Sequence, residues 1–446
     1  MTPYNNEYNF RTLNYLGSKL RLLDFIEENI VPLTPAGAGV CDLFAGSGCV
    51  TYKLSRLYPV YSCDIQTYSK VICSALLFQG DISDDDIKHV LSAFDTEESK
   101  SLKYAFHDIA NLEEEAIKER NVELLTDIVE HGSAEVARLE KNDSSIYNSL
   151  CKVNRRLGDS GLDGEKSLVG RYFGGVYFSY RQAVDLDILL EAIHKIQDGG
   201  KRNVFLAALL STASDIVDTV GKHFAQPIKA RDSNGNIKRP TVYNKAIQDK
   251  TVNVLPLYQE WLKRYMALPK TNHHHSFFQG DYMECLRRLP SSVQTIYADP
   301  PYTREHYSRF YHVLETMTLR DCPEISTVKV HGETHVSNGI YRKDRYQSPF
   351  CIRSKAPGAF RLMFQEVAAT GRNILLSYSP YDETKKTHPR VVTMKQLTEL
   401  AKEFFANVEV ISAGHFSHNK LNSKEHFLSA SDEAEVLIVC SNKLSK

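Results

Sequence analysis

Asp299-Pro300-Pro301-Tyr302 is the stretch whose residue types restrict their chemistry most narrowly. It follows the apolar run VQTIYA at 293–298, and so falls at the carboxyl end of an expected strand, where open α/β sheets place their sites. A carboxylate and a carbonyl, on a loop that two prolines strip of N–H groups and hold rigid, make a pair of fixed hydrogen-bond acceptors. Such a pair suits the exocyclic amine of a nucleobase, which is conjugated, weakly nucleophilic and in need of acceptors. Tyr302 adds an aromatic face for a base that has left its stack. The competing reading is a proline-rich turn without chemistry.

A second constellation lies nearer the start. Asp42-Leu43-Phe44-Ala45-Gly46-Ser47-Gly48 stands where an apolar run at 39–44 should end and a helix begin, and its glycines let the backbone approach a ligand closely. Asp64 closes the next apolar run, at 59–64, placed to accept hydrogen bonds from ribose hydroxyls. Thr51 stands in place of the third glycine of a dehydrogenase fingerprint, which leaves a nucleotide-type ligand without a pyrophosphate cradle. A Gly-x-Gly alone is equally compatible with a structural turn. His273-His274-His275 has no acid at ligand spacing and reads as a surface turn, so no metal is assigned. The nine cysteines are scattered and never spaced Cys-x-x-Cys, which predicts buried thiols rather than disulfides or a zinc knuckle.

Residues so far apart in sequence need a sheet to bring them together. Strand-like runs at 39–44 and 59–64, each followed by a helical pattern, have the βαβ rhythm of a parallel sheet. The rhythm stops at 81 and returns at 293–298, 373–378, 408–413 and 435–440, with helical stretches near 307–319, 358–369 and 393–405. One doubly wound, mostly parallel α/β sheet split by a mainly helical insertion accounts for both ends, and 446 residues exceed the usual single-domain size. The insertion has an apolar helix at 201–220, expected to pack inside, and strongly charged helices before it.

Charge is uneven along the chain. The net charge is −1, yet residues 81–150 carry 18 acidic and 7 basic side chains, expected to form a solvated face. The stretch 221–270 holds 10 basic and 3 acidic residues, so a basic surface that could meet phosphate is available. Lys222, Arg231 and Arg239 flank an expected hairpin turn at Asn234-Gly235, and Arg342 and Arg345 lie in a basic stretch after Tyr302 together with Lys343, Arg353 and Lys355. An ordinary exposed hairpin and structural ion pairs are the alternatives for these. A polar amino-terminal decapeptide and the lack of any run of roughly 18 apolar residues predict a cytoplasmic protein without membrane attachment.

In their order, three motifs carry a resemblance: Asn14-Tyr15-Leu16-Gly17-Ser18-Lys19, the Asp42–Gly48 loop with Asp64, and Asp299–Tyr302. The chain resembles the alpha-class, Dam-like adenine-N6 DNA methyltransferases, which use S-adenosylmethionine. Gly280-Asp281-Tyr282, the helix beginning YSRFYHVLET at 307 and the strand at 374–378 fit the same pattern, over about 1–80 and 270–446. Tyr15 departs from it, standing where relatives often have Trp. The resemblance implies a Rossmann-like class I methyltransferase fold from 1–80 and 270–446, with 81–269 as the inserted target-recognition region. It implies cofactor contacts from Tyr15, Gly17, Lys19, Asp42, Phe44, Gly46, Gly48, Asp64, Asp281 and Tyr282, and catalysis by Asp299, Pro300, Pro301 and Tyr302. Double-stranded DNA is the implied partner, with a cognate restriction endonuclease as a second; the resemblance carries no residue roles into the insertion, and Lys222, Arg231, Arg239, Arg342 and Arg345 are the candidates for DNA contact on their charge and placement. The protein would be nucleoid-associated when on DNA. Methylation of a cytosine amine or of RNA, and a non-catalytic DNA-binding protein, are the alternatives; a cytosine-C5 enzyme is disfavoured because the chain has no Pro-Cys dipeptide.

Overall fold

A computed structural model describes residues 9–304, 306–330, 332–379, 390–412 and 435–443. The chain divides into two compact units: Met1–Gln79, Pro269–Tyr307 and Tyr346–Lys446 form the first, and Gly80–Leu268 with Ser308–Arg345 the second.

In the first unit, buried strand residues alternate between two separate cores. On β1 (Gly39–Asp42) Val40 belongs to one and Cys41 to the other; on β4 (Val293–Ala298) Tyr297 opposes Ile296 and Ala298. β7 (Asn373–Tyr378) and β9 (Val436–Lys443) repeat this, Leu375 and Leu437 facing away from Ile374, Leu376 and Ile438. A period of two with both faces apolar demands helices on both sides. Helices Leu23–Ile30 and Cys49–Ser55 supply one side, and Tyr282–Arg288, Ala356–Ala369 and Met394–Lys402 the other. The seven strands run in the order β3-β2-β1-β4-β7-β9-β8, with β2 (Val60–Asp64), β3 (Ser276–Gln279) and β8 (Phe405–Ser412) completing the sheet. All pairs from β3 through β7 are parallel, and β9 is antiparallel to both its neighbours. This is the doubly wound, mostly parallel sheet expected from the sequence. The edge strand β3 is an addition: its burial is only partial, so SFFQ lacks the apolar run by which the inner strands are recognised. Ala413, the end of the expected strand at 408–413, lies outside the described residues.

The second unit is mainly helical, with a two-stranded antiparallel ribbon, β5 (Thr327–Val330) and β6 (Glu333–Val336). The apolar helix of the insertion spans Gly199–Ile216 and is buried along most of its length. Residues 308–345, read from the sequence with the catalytic part, belong to this unit. The helix His312–Leu319 packs on Leu168–Phe173 and Gly199–Ile216, and the buried His312 ring lies 5.8 Å from Phe173 and 5.9 Å from Tyr177.

Charges of the insertion are not all solvated. Glu113, 1% exposed, receives Lys250 Nζ at 2.8 Å and the backbone N–H of Tyr180 at 2.8 Å, while Lys250 also donates to the Gly175 carbonyl at 2.6 Å. Among the described residues no helix is long and apolar enough to cross a membrane.

Lys250→Ala should lower the stability of the second unit by about 3–5 kcal/mol, because it strands a buried carboxylate. Trp261 is the chain's single tryptophan and its indole donates to Asp215 Oδ2 at 3.0 Å within this unit, so its fluorescence during urea unfolding is the readout.

Candidate active site

The parallel strands deliver their carboxyl ends to one edge of the first unit's sheet. Asp42 ends β1, Asp64 ends β2, and Asp299 follows β4, which lies beside β1. Beyond the strands the loops keep the ladder: Leu43 N–H donates to the Tyr297 carbonyl at 2.9 Å, Ala45 N–H to the Cys63 carbonyl at 2.9 Å, and Gly280 N–H to the Asp64 carbonyl at 3.0 Å. The motifs at 42–48, 64, 280–282 and 299–302 are therefore placed side by side by backbone hydrogen bonds.

Asp64 ties the glycine loop down. One carboxylate oxygen accepts from Gly46 N–H at 2.8 Å and the other from Gln66 N–H at 2.9 Å. Gly46 has φ +51°, and a Cβ there would sit 2.6 Å from the Tyr15 hydroxyl, so only glycine lets Tyr15 lie against the loop. Gly17 and Gly48 also have positive φ, and Gly48 caps the helix Cys49–Ser55. Phe44, Tyr282 and Phe350 form an aromatic cluster with ring centroids 5.0–5.9 Å apart. Asp281 caps the helix Tyr282–Arg288 through Met283 N–H at 2.9 Å.

Asp42 is 1% exposed, and one of its oxygens accepts from Thr51 Oγ1 at 2.7 Å. Thr51, where a dehydrogenase would have glycine, also shares a hydrogen bond with Ser62 at 2.8 Å. The other oxygen of Asp42 is buried with no hydrogen-bond partner. Burial, with a further push from Asp299 and Asp64, raises its carboxyl to about 7. An orphaned buried acceptor among three carboxylates fits a ligand that carries positive charge, and Asp64 at the end of β2 fits a diol. S-adenosylmethionine, with its sulfonium, ammonium and ribose, matches that donor and acceptor set.

Asp299 meets Lys19, which is 5% exposed, with Nζ 2.8 Å from Oδ2. Burial raises the Asp299 carboxyl to about 6 against the pull of Lys19, and the nearby Glu435 adds to the rise. Burial works against the Lys19 charge, but Asp299 and Glu435 hold its pKa well above the ordinary lysine value. Tyr302 packs on Tyr378 at 4.8 Å with Arg390 5.0 Å over its ring, and its carbonyl accepts from Val391 N–H at 3.3 Å. Arg390 itself donates to the Ser379 carbonyl and hydroxyl at 2.9 and 2.8 Å. Glu435, Tyr378 and Arg390 have no sequence signal as site residues, because each meets a residue from a distant segment; Thr51 reads in the sequence only as a missing glycine, not as the partner of Asp42.

The basic residues proposed for DNA lie in the second unit, and most have partners there. Lys222 donates to the buried Asp249 at 2.6 Å and to the carbonyls of Asp215 and Val217 at 2.7 and 3.2 Å. Arg231 pairs with Glu130 at 3.1 Å beside the tight turn at Asn234-Gly235, and the exposed Arg239 pairs with Glu123. Arg239 begins the helix Arg239–Lys245 rather than the second arm of a long hairpin. Arg342 is buried, with both terminal nitrogens on Asp321 at 2.7 and 2.6 Å, an arrangement that holds its own loop. Arg345 differs: it stacks 4.8 Å over Tyr341, donates to the Ser326 hydroxyl and the Arg342 carbonyl, and shares the Tyr341 ring with Arg309 at 5.9 Å. Arg353 and Lys355, in the first unit, are exposed. His275, read as part of a surface turn, leads into β3 and accepts from Val60 N–H at 3.1 Å. Among the described residues no group of His, Cys, Asp or Glu is arranged to hold a metal ion.

Residues 15–160 match the family model described as D12 class N6 adenine-specific DNA methyltransferase. Over 92% of its length the chain is 24% identical to the modification methylase LlaI of Lactococcus lactis subsp. lactis, and over 82% it is 24% identical to the type II methyltransferase M.CviAII of Paramecium bursaria Chlorella virus 1. It is 22% identical to the type II methyltransferase M.FokI of Planomicrobium okeanokoites over 82% of its length. The alignments span 52%, 83% and 44% of those three proteins, so the chain covers about half of the first.

The raised Asp42 carboxyl has a sign in stability. With a folded value of about 7, it holds a proton that the unfolded chain, titrating near 3.9, has already lost. Its contribution is therefore full below about pH 4 and disappears as pH rises through 7. Asp42→Asn should flatten that slope and gain roughly 1–3 kcal/mol over the parent chain at pH 8, less at pH 5. Calorimetric melting of both proteins at the two pH values is the check.

Proposed function

Because residues 15–160 match the model of the D12 class of N6 adenine-specific DNA methyltransferases, we propose that the chain transfers a methyl group from S-adenosylmethionine to the exocyclic amine of adenine at a specific site in duplex DNA. The reading rests on one juxtaposition: the Asp299-Pro300-Pro301-Tyr302 loop at the end of β4, beside the Asp42–Gly48 loop of β1 and the Asp64 carboxylate of β2. The relatives named as modification methylase and type II methyltransferases support a role in marking a fixed sequence, alone or beside a cognate restriction endonuclease. The chain would then act in the cytoplasm, on the nucleoid.

S-adenosylmethionine, when bound, supplies an electrophilic methyl group. Tyr15, Phe44, Gly46 and Gly48 would hold its methionine side, with Asp42 answering its positive charge, Asp64 its ribose, and Asp281 with Tyr282 bordering its adenine. The Asp299 carboxylate and the Pro300 carbonyl accept the two hydrogens of the target amine and turn its lone pair toward the methyl group. Lys19 keeps one Asp299 oxygen occupied, which leaves the other for the amine. A base can reach this loop only after leaving the duplex, and the Tyr302 ring is its stacking platform. Arg390 now covers that ring, so the base exchanges one π contact for another. No covalent enzyme intermediate is needed. Positioning and desolvation carry the work.

For DNA, Arg345 with its Arg309 neighbour fits a phosphate, because its guanidinium donates to a hydroxyl and a carbonyl. Arg231 and Arg239 are held by surface pairs worth at most about 1 kcal/mol, which phosphate can replace. Lys222 and Arg342 are more firmly held and serve the unit's own structure.

Sequencing the modification pattern of DNA from a methylation-free host that expresses the chain tests the reading: N6-methyladenine in one short motif supports it, and unmodified DNA overturns it. Asp299→Ala should lower the transfer rate by at least about 100-fold with S-adenosylmethionine affinity nearly intact, as measured by single-turnover assays and calorimetry. Asp64→Ala should do the opposite and weaken S-adenosylmethionine binding by about 1.5–3 kcal/mol in the same calorimetry.

A further inference from the structure

We propose that Glu435 is a positioning residue for the methyl transfer: through the Lys19 ammonium it fixes the place of the Asp299 carboxylate that receives the target amine. The inference rests on the function proposed above for Asp299.

Glu435 immediately precedes β9 and is 2% exposed. Its Oε1 accepts from Ser377 Oγ of β7 at 2.7 Å and lies 3.4 Å from Lys19 Nζ. Lys19 also meets Asp299 Oδ2 at 2.8 Å and the Gly17 carbonyl at 3.2 Å. An ammonium has three hydrogens and no acceptor, so these three oxygens use its whole capacity. With two acceptors Lys19 could swing about its long side chain; the third removes that freedom. The Lys19 hydrogens are thereby directed to protein oxygens, not to a ligand. Packing between β7 and β9 alone would be served by an apolar residue, since an ionised carboxylate buried there is costly unless paired. A carboxylate at this spot therefore has an electrostatic use.

That use follows from what Asp299 must do. Ionised, it is the stronger acceptor for an amine hydrogen, yet if it held Lys19 alone that strength would be diminished. Glu435 shares the ammonium and moderates its pull. The groups that face Asp299 are Lys19, Glu435, Asp42, Tyr297, Tyr302 and Tyr307; burial is the main cause that raises the Asp299 carboxyl, Glu435 adds to it and Lys19 lowers it.

The test compares Glu435→Ala, Glu435→Gln, Glu435→Met and Lys19→Met with the parent chain. Glu435→Ala should lower kcat by about 10- to 100-fold, the range for a catalytic group displaced by a fraction of an ångström to an ångström, with KM for DNA within about threefold. Glu435→Gln keeps an acceptor for Lys19, so it should restore most of kcat at pH 8 and move the acid limb of the kcat profile down by about one pH unit, because a like charge beside Asp299 has gone. Lys19→Met should move the limb up. A merely structural role for Glu435 would lower kcat and melting temperature together and leave the limb in place, and that result overturns the proposal. A second readout does not depend on turnover: the ¹³C-carboxyl resonance of Asp299, assigned by its loss in Asp299→Asn, should titrate lower in Glu435→Gln and Glu435→Met and higher in Lys19→Met. Glu435→Met, similar in volume and apolar, keeps this measurement available where the amide disturbs folding. An inactive parent chain counts against the function of Asp299, whereas an Asp299 midpoint unmoved by either Glu435 variant counts against the role of Glu435.

Discussion

One buried ammonium holds three remote parts of the chain together. Lys19 comes from the segment before the first helix, Asp299 from the residue after β4 and Glu435 from the residue before β9, and their charges meet in the first unit. Charges are tolerated there only in mutual company, since each would be expensive alone. The rest of the site follows from this constraint: Asp42 and Asp64 sit at neighbouring strand ends, their carboxylates are fixed by Thr51 and by backbone N–H groups, and the edge of the sheet becomes an anionic rim suited to a cationic ligand.

The second unit obeys the same logic on a larger scale. The acidic excess of 81–150 and the basic excess of 221–270 belong to one folded body, and they meet as pairs: Glu113 with Lys250, Glu123 with Arg239, Glu130 with Arg231. What reads along the sequence as an acidic solvated face and a separate basic surface is in part an internal neutralisation. Pairs near the surface remain exchangeable, whereas Glu113 with Lys250 is part of the core.

Legibility in the sequence tracked locality. The strands β1, β2, β4 and β7 announce themselves as short apolar runs because parallel strands are buried on both faces, and the glycine loop and the Asp299 loop are contiguous strings. β3 escaped because an edge strand needs no such run, and its pattern is interrupted by the preceding histidines. Glu435 escaped for a different reason: an acid before a strand is unremarkable until a lysine from the other end of the domain lies beside it. The segment 308–345 was placed with the catalytic part by continuity of chain, while its aromatic contacts with Phe173 and Tyr177 put it in the helical unit.

Order of synthesis gives the three-segment first unit a further meaning. A ribosome releases Lys19 and the glycine loop early, then the greater part of the second unit, then β4 with Asp299, and β9 with Glu435 only after every other strand of the sheet. Domains fold as units while the chain emerges, so the larger part of the helical unit can settle before β4 is made, and its last segment, Ser308–Arg345, joins afterwards. The nascent polypeptide thus carries the glycine loop and the Asp299 loop long before the charge cluster can close, because Glu435 arrives only with the strand that lies between β7 and β8.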